Sequence, residues 1–214
     1  MIVVVDYGMG NLRSVAKALE RLGVEARVSA QRNDLEQATA LIVPGVGAFG
    51  AAMEELRRRD LIEPVRRAID RGVPYLGICL GLQLLFESSE ESPGVPGLGV
   101  LRGTVRRLQA PGLKIPHMGW NRIMAPSTAR DACPMLAGVP NGSFVYFVHS
   151  YYGEPDDRSI VCLETDYGGR FPSMIWRDRL FATQFHPEKS QALGLRLLEN
   201  FATSQTQPSS RTRA

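Results

Sequence analysis

The sequence is short of the features that mark several large classes of protein. Among its 214 residues there are only three cysteines, Cys79, Cys133 and Cys162. An odd number at long spacings excludes a disulfide scaffold, and the pattern holds no metal-ligand signature, so no metal is expected. No apolar run reaches the roughly 18 residues of a membrane span, and no secretory n-region is present. A soluble, cytoplasmic protein is therefore expected. Charge of one sign is also scarce: the net charge of +3 is too small to point to nucleic acid or an anionic membrane as a partner. Internal repeats are absent. What remains is the composition of an ordinary globular chain, long enough for one well-buried domain over residues 1–202. Residues 203–214 are mostly Ser, Thr, Gln and Arg with no apolar face, and read as a disordered tail.

The chain is organised around residues 73–87, Val-Pro-Tyr-Leu-Gly-Ile-Cys-Leu-Gly-Leu-Gln-Leu-Leu-Phe-Glu. The first half is a short apolar run behind a proline and suits a buried strand. The second half is apolar at helical spacing, with Leu80, Leu84 and Leu85 on one face. Between them, Gly77-Ile78-Cys79-Leu80-Gly81 has the spacing of a nucleophile elbow, a sharp strand-to-helix turn that presents one side chain. A Cβ at either glycine would collide with such a turn. A thiol there sits at a helix N-terminus, where the dipole favours the thiolate. A lone buried cysteine is more often a small packing residue, so partners elsewhere must decide its role.

The first 88 residues alternate strand and helix. Strands are expected at Ile2 to Val5, Val24 to Val28 and Leu41 to Val43. Helices are expected from Leu12 to Leu22 and, with breaks near Asp60 and Pro64, from Ala51 to Arg71. This is the pattern of a doubly wound, mostly parallel α/β sheet flanked by helices, whose ligands bind beyond the carboxyl ends of the strands. A dinucleotide fingerprint after the first strand fails, because its third glycine position is Arg13. Residues 88–99 read as an exposed loop. The second half shows short strands between turns, at Gly99 to Leu108, Ser143 to His149, Ser159 to Thr165, Ser173 to Trp176 and Leu180 to Phe185, of antiparallel type. Residues 114–121 are a Gly- and Pro-bearing segment, and Leu193 to Phe201 is a closing amphipathic helix.

A thiol nucleophile needs a base, and the base an orienting group. His186 ends the last expected strand, and Glu188 lies two positions on, across Pro187, which holds the segment extended. A carboxylate there would fix the imidazole tautomer and stabilise the imidazolium. Pro44-Gly45-Val46-Gly47 is a strand-end turn whose amides can face a developing oxyanion, and the amide of Leu80 is the natural second donor.

Taken together, Gly-Ile-Cys-Leu-Gly-Leu-Gln, Pro-Gly-Val-Gly and His-Pro-Glu resemble the class I, triad-type glutamine amidotransferases. Residues 6–15, His117 to Asn121, Phe147 to Tyr151 and His186 to Ser190 resemble, within that family, the glutaminase subunits of imidazole glycerol phosphate synthases. The resemblance runs from residue 2 to about 202. It implies a three-layer fold and hydrolysis of L-glutamine to glutamate and ammonia through a thioester. It implies no cofactor, and delivery of ammonia to a separate (β/α)8-barrel cyclase in histidine biosynthesis. It assigns Cys79 as nucleophile, His186 as general base and acid, and Glu188 as orienter. Gln83 would bind the substrate amino acid and Ser150 and Tyr151 its carboxylate. Gly45, Val46 and Gly47 would form the oxyanion loop. Ammonia must travel enclosed, so a partner face is expected beside the triad, with Asn11, Met118, Trp120 and Lys189 in loops at that edge. Three other readings are a different amidotransferase glutaminase, such as that of pyridoxal phosphate synthase, a non-catalytic regulatory subunit on the same fold, and a Cys-dependent hydrolase. The intact Cys79, His186 and Glu188 weigh against the second, and Gln83 against the third.

Overall fold

The computed structural model describes residues 1–126 and 133–204. Its first half runs β1 (Ile2–Val5), α1 (Leu12–Arg21), β2 (Ala26–Ser29), α2 (Arg32–Glu36), β3 (Ala40–Gly45), α3 (Phe49–Arg58), α4 (Ile62–Asp70), β4 (Tyr75–Cys79) and α5 (Leu80–Gln83). The second half runs β5 (Phe86–Ser89), β6 (Leu101–Arg107), β7 (His117–Arg122), β8 (Phe144–His149), β9 (Tyr151–Pro155), β10 (Val161–Asp166), β11 (Arg170–Arg177), β12 (Leu180–Thr183) and α6 (Gln191–Thr203). Seven strands form the main sheet in the order β10-β11-β12-β4-β3-β1-β2. The five strands from β12 to β2 are parallel, while β10 and β11 complete the sheet antiparallel, as the sequence pattern requires. A three-stranded sheet, β5-β6-β9, and a β7-β8 pair lie outside it.

The parallel strands are apolar at successive positions because both faces are covered. Ile2 and Val4 pack into one core, Val3 and Val5 into the other. Helices α1 and α6 close the first with Val15, Leu19, Leu197 and Phe201; α3 and α4 close the second with Phe49, Met53, Leu56 and Val65. Register then places the site. Gly45 pairs with Cys79 across β3 and β4, and Ile78 pairs with Thr183 across β4 and β12. The turn after β3, the elbow after β4 and the segment after β12 therefore leave the sheet side by side at its carboxyl edge.

Several local expectations change. The helical stretch after residue 51 breaks at Asp60, as expected, where φ is +55°. Pro64 does not break it, because it is the third residue of α4, where no intrahelical N–H bond is lost. Helix α2 buries only Leu35, too little to give a period. The stretch read as an exposed loop from residue 88 continues β5 through Ser89. It then anchors the start of α3: the amides of Phe49 and Gly50 donate to Glu91 Oε2 at 2.7 Å and Ser92 Oγ at 3.0 Å. The segment 114–121 ends as strand β7, with its irregular point at Gly119, φ +130°. Helix α6 takes in Thr203, which the tail reading had excluded; residues 205–214, the rest of that tail, lie outside the described residues. Among the described residues no helix is long and apolar enough to cross a membrane.

Candidate active site

At the elbow, Cys79 adopts φ +54°, ψ −104°, a conformation that a non-glycine residue holds at a cost of about 1–3 kcal/mol. Both flanking glycines are required by contact. A Cβ on Gly77 would stand 2.5 Å from the Gly81 carbonyl oxygen, and one on Gly81 would stand 1.8 Å from that of Val43. The turn thus forces a strained cysteine to the end of β4, where its side chain is almost wholly buried. The helix behind it corrects the sequence reading. It spans four residues, Leu80–Gln83, and Leu84 and Leu85 lie beyond it. One turn of helix supplies little dipole, so stabilisation of a thiolate falls to side chains.

Those side chains come from the segment after β12. His186 Nδ1 and Glu188 Oε1 are 2.8 Å apart, with both side chains almost fully buried. Their approach is not that of alternate residues on an extended chain. His186 is extended, but Pro187–Lys189 forms a 3-10 turn that folds Glu188 back onto the imidazole. The Lys189 amide donates to the His186 carbonyl at 3.1 Å, and Ser190 Oγ donates to the same carbonyl at 2.7 Å. Burial by itself pushes the His186 imidazole down. The charge of Cys79, then Glu188, outweigh this and raise it to about 10. The electrostatics therefore favour the imidazolium form of His186.

Gly45 ends β3 directly opposite Cys79. Beyond it Val46 and Gly47 are exposed, with Gly47 at φ +102°. Leu80 opens α5, where the first N–H groups have no intrahelical acceptor. Tyr7 is wholly buried here. Its hydroxyl would lie 2.3 Å from a Cβ on Gly45 and has no hydrogen-bond partner among the described residues, and burial followed by the Cys79 charge pushes its ionisation upward.

Gln83 lies one turn past Cys79 and is buried. Its Nε2 donates to the Tyr151 carbonyl at 2.8 Å and to Gln184 Oε1 at 3.2 Å, leaving Oε1 as the atom available to a ligand ammonium. Ser150 and Tyr151 adjoin this network. The Ser150 carbonyl is taken by the Leu108 amide at 2.9 Å and that of Tyr151 by Gln83 and His149 Nδ1. A carboxylate needs donors, so these committed carbonyls do not compete with it. Gln184 was missed from the sequence. It is wholly buried and its Nε2 lies 3.5 Å from Cys79 Sγ. The signal available was a lone amide in the otherwise apolar end of the strand run, between Thr183 and Phe185.

Of the expected partner residues, Met118, Trp120 and Lys189 adjoin strand β8, with one change from the sequence reading. Met118 and Trp120 lie on strand β7, not in a loop. Register pairs Met118 with Val148, Trp120 with Tyr146 and Arg122 with Phe144 on one face of the β7-β8 pair. Met118 is 63% exposed, Trp120 46% and Phe144 53%, so Trp120 is not a core residue. The Lys189 ammonium stands 5.6 Å from the centre of the Tyr146 ring, whose edge meets Trp120 at 6.3 Å. The same β8 strand reaches the thiol: Cys79 Sγ donates to the Val148 carbonyl at 3.8 Å, and the His186 amide donates to that of Tyr146 at 2.9 Å. Asn11 caps α1 through its carbonyl, half-buried. Cys133 and Cys162 are free, buried core thiols.

On the opposite face of β7 and β8, His117 Nδ1 and His149 Nε2 are 3.0 Å apart, stacked among Phe147, Tyr167 and Phe171. Burial pushes His117 down to about 4 and His149 down to about 3. The folded state thus binds these protons more weakly than an unfolded histidine at 6.5. Their contribution to stability is complete above that value and is lost as pH falls toward 4 and 3. Urea melts from pH 7 to 4.5 should show stability dropping by up to about 1.4 kcal/mol per pH unit per group. Replacing both histidines should flatten that slope.

Comparison with known proteins agrees with this geometry. The model of the glutamine amidotransferase class-I family matches residues 3–204. The imidazole glycerol phosphate synthase subunit HisH of Rhodopirellula baltica is 52% identical over 205 residues, 95% of this chain and 98% of that protein. The subunit of the same name from Aquifex aeolicus is 53% identical over 200 residues, covering 93% and 94%. A crystal structure described as a glutamine amidotransferase superposes with a TM-score of 0.75 at 24% identity, covering 96% of this chain and 99% of that one. The PurLQS structure from Thermotoga maritima gives 0.72 at 20% identity, covering 95% and 97%. A strained cysteine at a strand-to-helix elbow and a buried histidine-glutamate pair at the next strand end stand within the span of that family match, and the chain belongs to the class I glutamine amidotransferase family.

Proposed function

We propose that this chain is the glutaminase subunit of an imidazole glycerol phosphate synthase. The observation that carries the reading is near-full-length identity of about half to relatives of that name, joined to the Cys79, His186 and Glu188 arrangement. Cys79 attacks the side-chain amide carbon of L-glutamine as the thiolate. The resulting oxyanion is met by the amide of Leu80 and by the Gly45-Val46-Gly47 turn. The His186 imidazolium gives its proton to the departing nitrogen, and ammonia leaves. His186 then takes a proton from water, which attacks the γ-glutamyl thioester and releases glutamate. Glu188 holds the imidazole by Nδ1 throughout. Gln83 Oε1 accepts from the substrate ammonium, and amides near Ser150 and Tyr151 receive its carboxylate.

Ammonia released into neutral water becomes ammonium and is no longer a nucleophile, so the reading calls for an enclosed path to a cyclase, of (β/α)8-barrel type in the family. There it yields imidazole glycerol phosphate and AICAR. The apolar ladder of Met118, Trp120, Tyr146 and Phe144, with Lys189 beside it, is the face that suits this partner. Large exposed aromatics in a cluster are enriched at interface cores. Asn11 belongs to the same edge. Trp120→Ala and Lys189→Ala should weaken association or consume glutamine in excess of product while leaving the isolated fold intact. Normal cyclase binding with one glutamate per product in both variants would move the partner face elsewhere. The glutaminase reading itself is tested by measuring glutamate release by the chain alone and with a cyclase and its nucleotide ligand.

A further inference from the structure

We infer that Gln184 is a fourth catalytic side chain, a hydrogen-bond donor to the Cys79 sulfur whose direction is imposed from the substrate-binding side. Among the described residues, two groups lie within hydrogen-bonding reach of the sulfur. The Val148 carbonyl at 3.8 Å only accepts and suits the neutral thiol. Gln184 Nε2 at 3.5 Å donates and suits the anion. An amide can be turned end for end, so its polarity must come from its neighbours. Here the neighbours fix it. The Tyr151 carbonyl can only accept, so Gln83 presents its NH2 there, at 2.8 Å. The second N–H of that group, 3.2 Å from Gln184, must meet an acceptor, which makes that atom Oε1. Gln184 is left with its NH2 on the sulfur.

The same carbonyl is held from the other side. His149 Nδ1 lies 2.9 Å from it, and a donated proton there leaves Nε2 to accept from His117 Nδ1 at 3.0 Å. His117 Nε2 in turn accepts from Asn121 Nδ2, which also donates to the Asp166 carbonyl at 2.9 Å. The chain runs from Asn121 through two neutral imidazoles to the Tyr151 carbonyl, and that carbonyl, like the Asp166 carbonyl at the other end, can only accept. Gln184 is itself wholly buried, and its own amide is tied to the Ser173 carbonyl at 2.9 Å, so the side chain starts from a fixed point. Charge-directed donors in a dry site are stronger than in water, because nothing must reorganise when charge forms. With the dipole of a one-turn helix small, this donor and the imidazolium are what hold the thiolate.

The inference rests on Cys79 being the reactive thiol, and its test uses a probe that does not need glutamine. The rate of Cys79 alkylation by iodoacetamide is followed against pH in the full chain, with thermal melting recorded for each variant. Gln184→Met keeps the volume and removes the donor; Gln184→Glu keeps the shape and places an acceptor by the sulfur. The alkylation profile should move to higher pH by roughly one unit in Gln184→Met and further in Gln184→Glu. Glutamine kcat should fall about 10- to 100-fold in Gln184→Met, with KM changed much less. A merely structural glutamine would lower the melting temperature without ordering the two profiles in this way. Profiles and kcat within twofold of the parent, or a larger shift in Met than in Glu, would overturn the donor role. Failure of Cys79 to alkylate in the parent protein would instead sink the nucleophile assignment.

Discussion

Cys79→Ala should reduce glutamine hydrolysis on the order of 10⁴-fold or more, since loss of a nucleophile removes the covalent route and not one contact among several. Synthesis from added ammonia by the complex should persist, because that reaction needs only the partner's site. The substitution also has an electrostatic signature. The first influence on His186 is burial, which lowers its proton affinity; the charge of Cys79 is the leading one that raises it. Removing the sulfur should therefore bring the imidazole down from about 10, which a histidine-selective NMR titration reads directly. A raised folded value means stability that is complete below 6.5 and lost as pH rises through about 10. The alkaline loss of stability should accordingly be smaller in the variant and end at a lower pH. Near-parental glutaminase activity in Cys79→Ala, or an unmoved His186 titration, would remove the thiol from the mechanism.

Gly81→Ala should be the most damaging single methyl in the chain's catalytic segment. The added carbon would lie 1.8 Å from the Val43 carbonyl oxygen and 2.9 Å from the carbon that bears it, backbone atoms of β3 that cannot swing aside. The elbow would have to leave β3, and Gly45 would separate from Cys79, its partner in register. Overpacking that only shifts side chains costs about 1–3 kcal/mol, and a backbone collision of this depth should exceed it. For a chain of this size a loss of 3 kcal/mol lowers the melting temperature by roughly 6–12 °C. Glutaminase activity should vanish in whatever remains folded. Gly23→Ala, where nothing lies within 4 Å but φ is +68°, is the control that separates collision from backbone preference. Equal melting temperatures for the two variants would show that the elbow relaxes without cost.

Much of this molecule is legible without coordinates. The parallel half is written in runs such as Ile2 to Val5 and Leu41 to Val43, which stay apolar at every position because both faces of each strand are covered. The elbow is legible because two glycines and a cysteine at fixed spacing have one steric explanation, and the structure supplies the collisions that enforce it. Short irregular elements were not legible. Helix α2 and strands β5, β7 and β9 bury too few side chains to set a period, and they form because neighbours satisfy their backbone groups.

The sequence by itself determined the residue types: a thiol at an elbow, a histidine and a glutamate after the last strand, and glycines after the third. Local steric rules and the order of the chain are enough for that. Tertiary structure alone decided how they meet. The pairing of Gly45 with Cys79 and of Ile78 with Thr183 is a matter of register between strands far apart in sequence, and it sets which side chains share an edge. The 3-10 turn that brings Glu188 to 2.8 Å from His186 replaced the extended geometry that Pro187 suggested, because the Lys189 and Ser190 groups close back on the His186 carbonyl. Gln184 became visible only in three dimensions, since its partners Cys79 and Gln83 lie 105 and 101 residues away and no local pattern records a hydrogen bond across that distance.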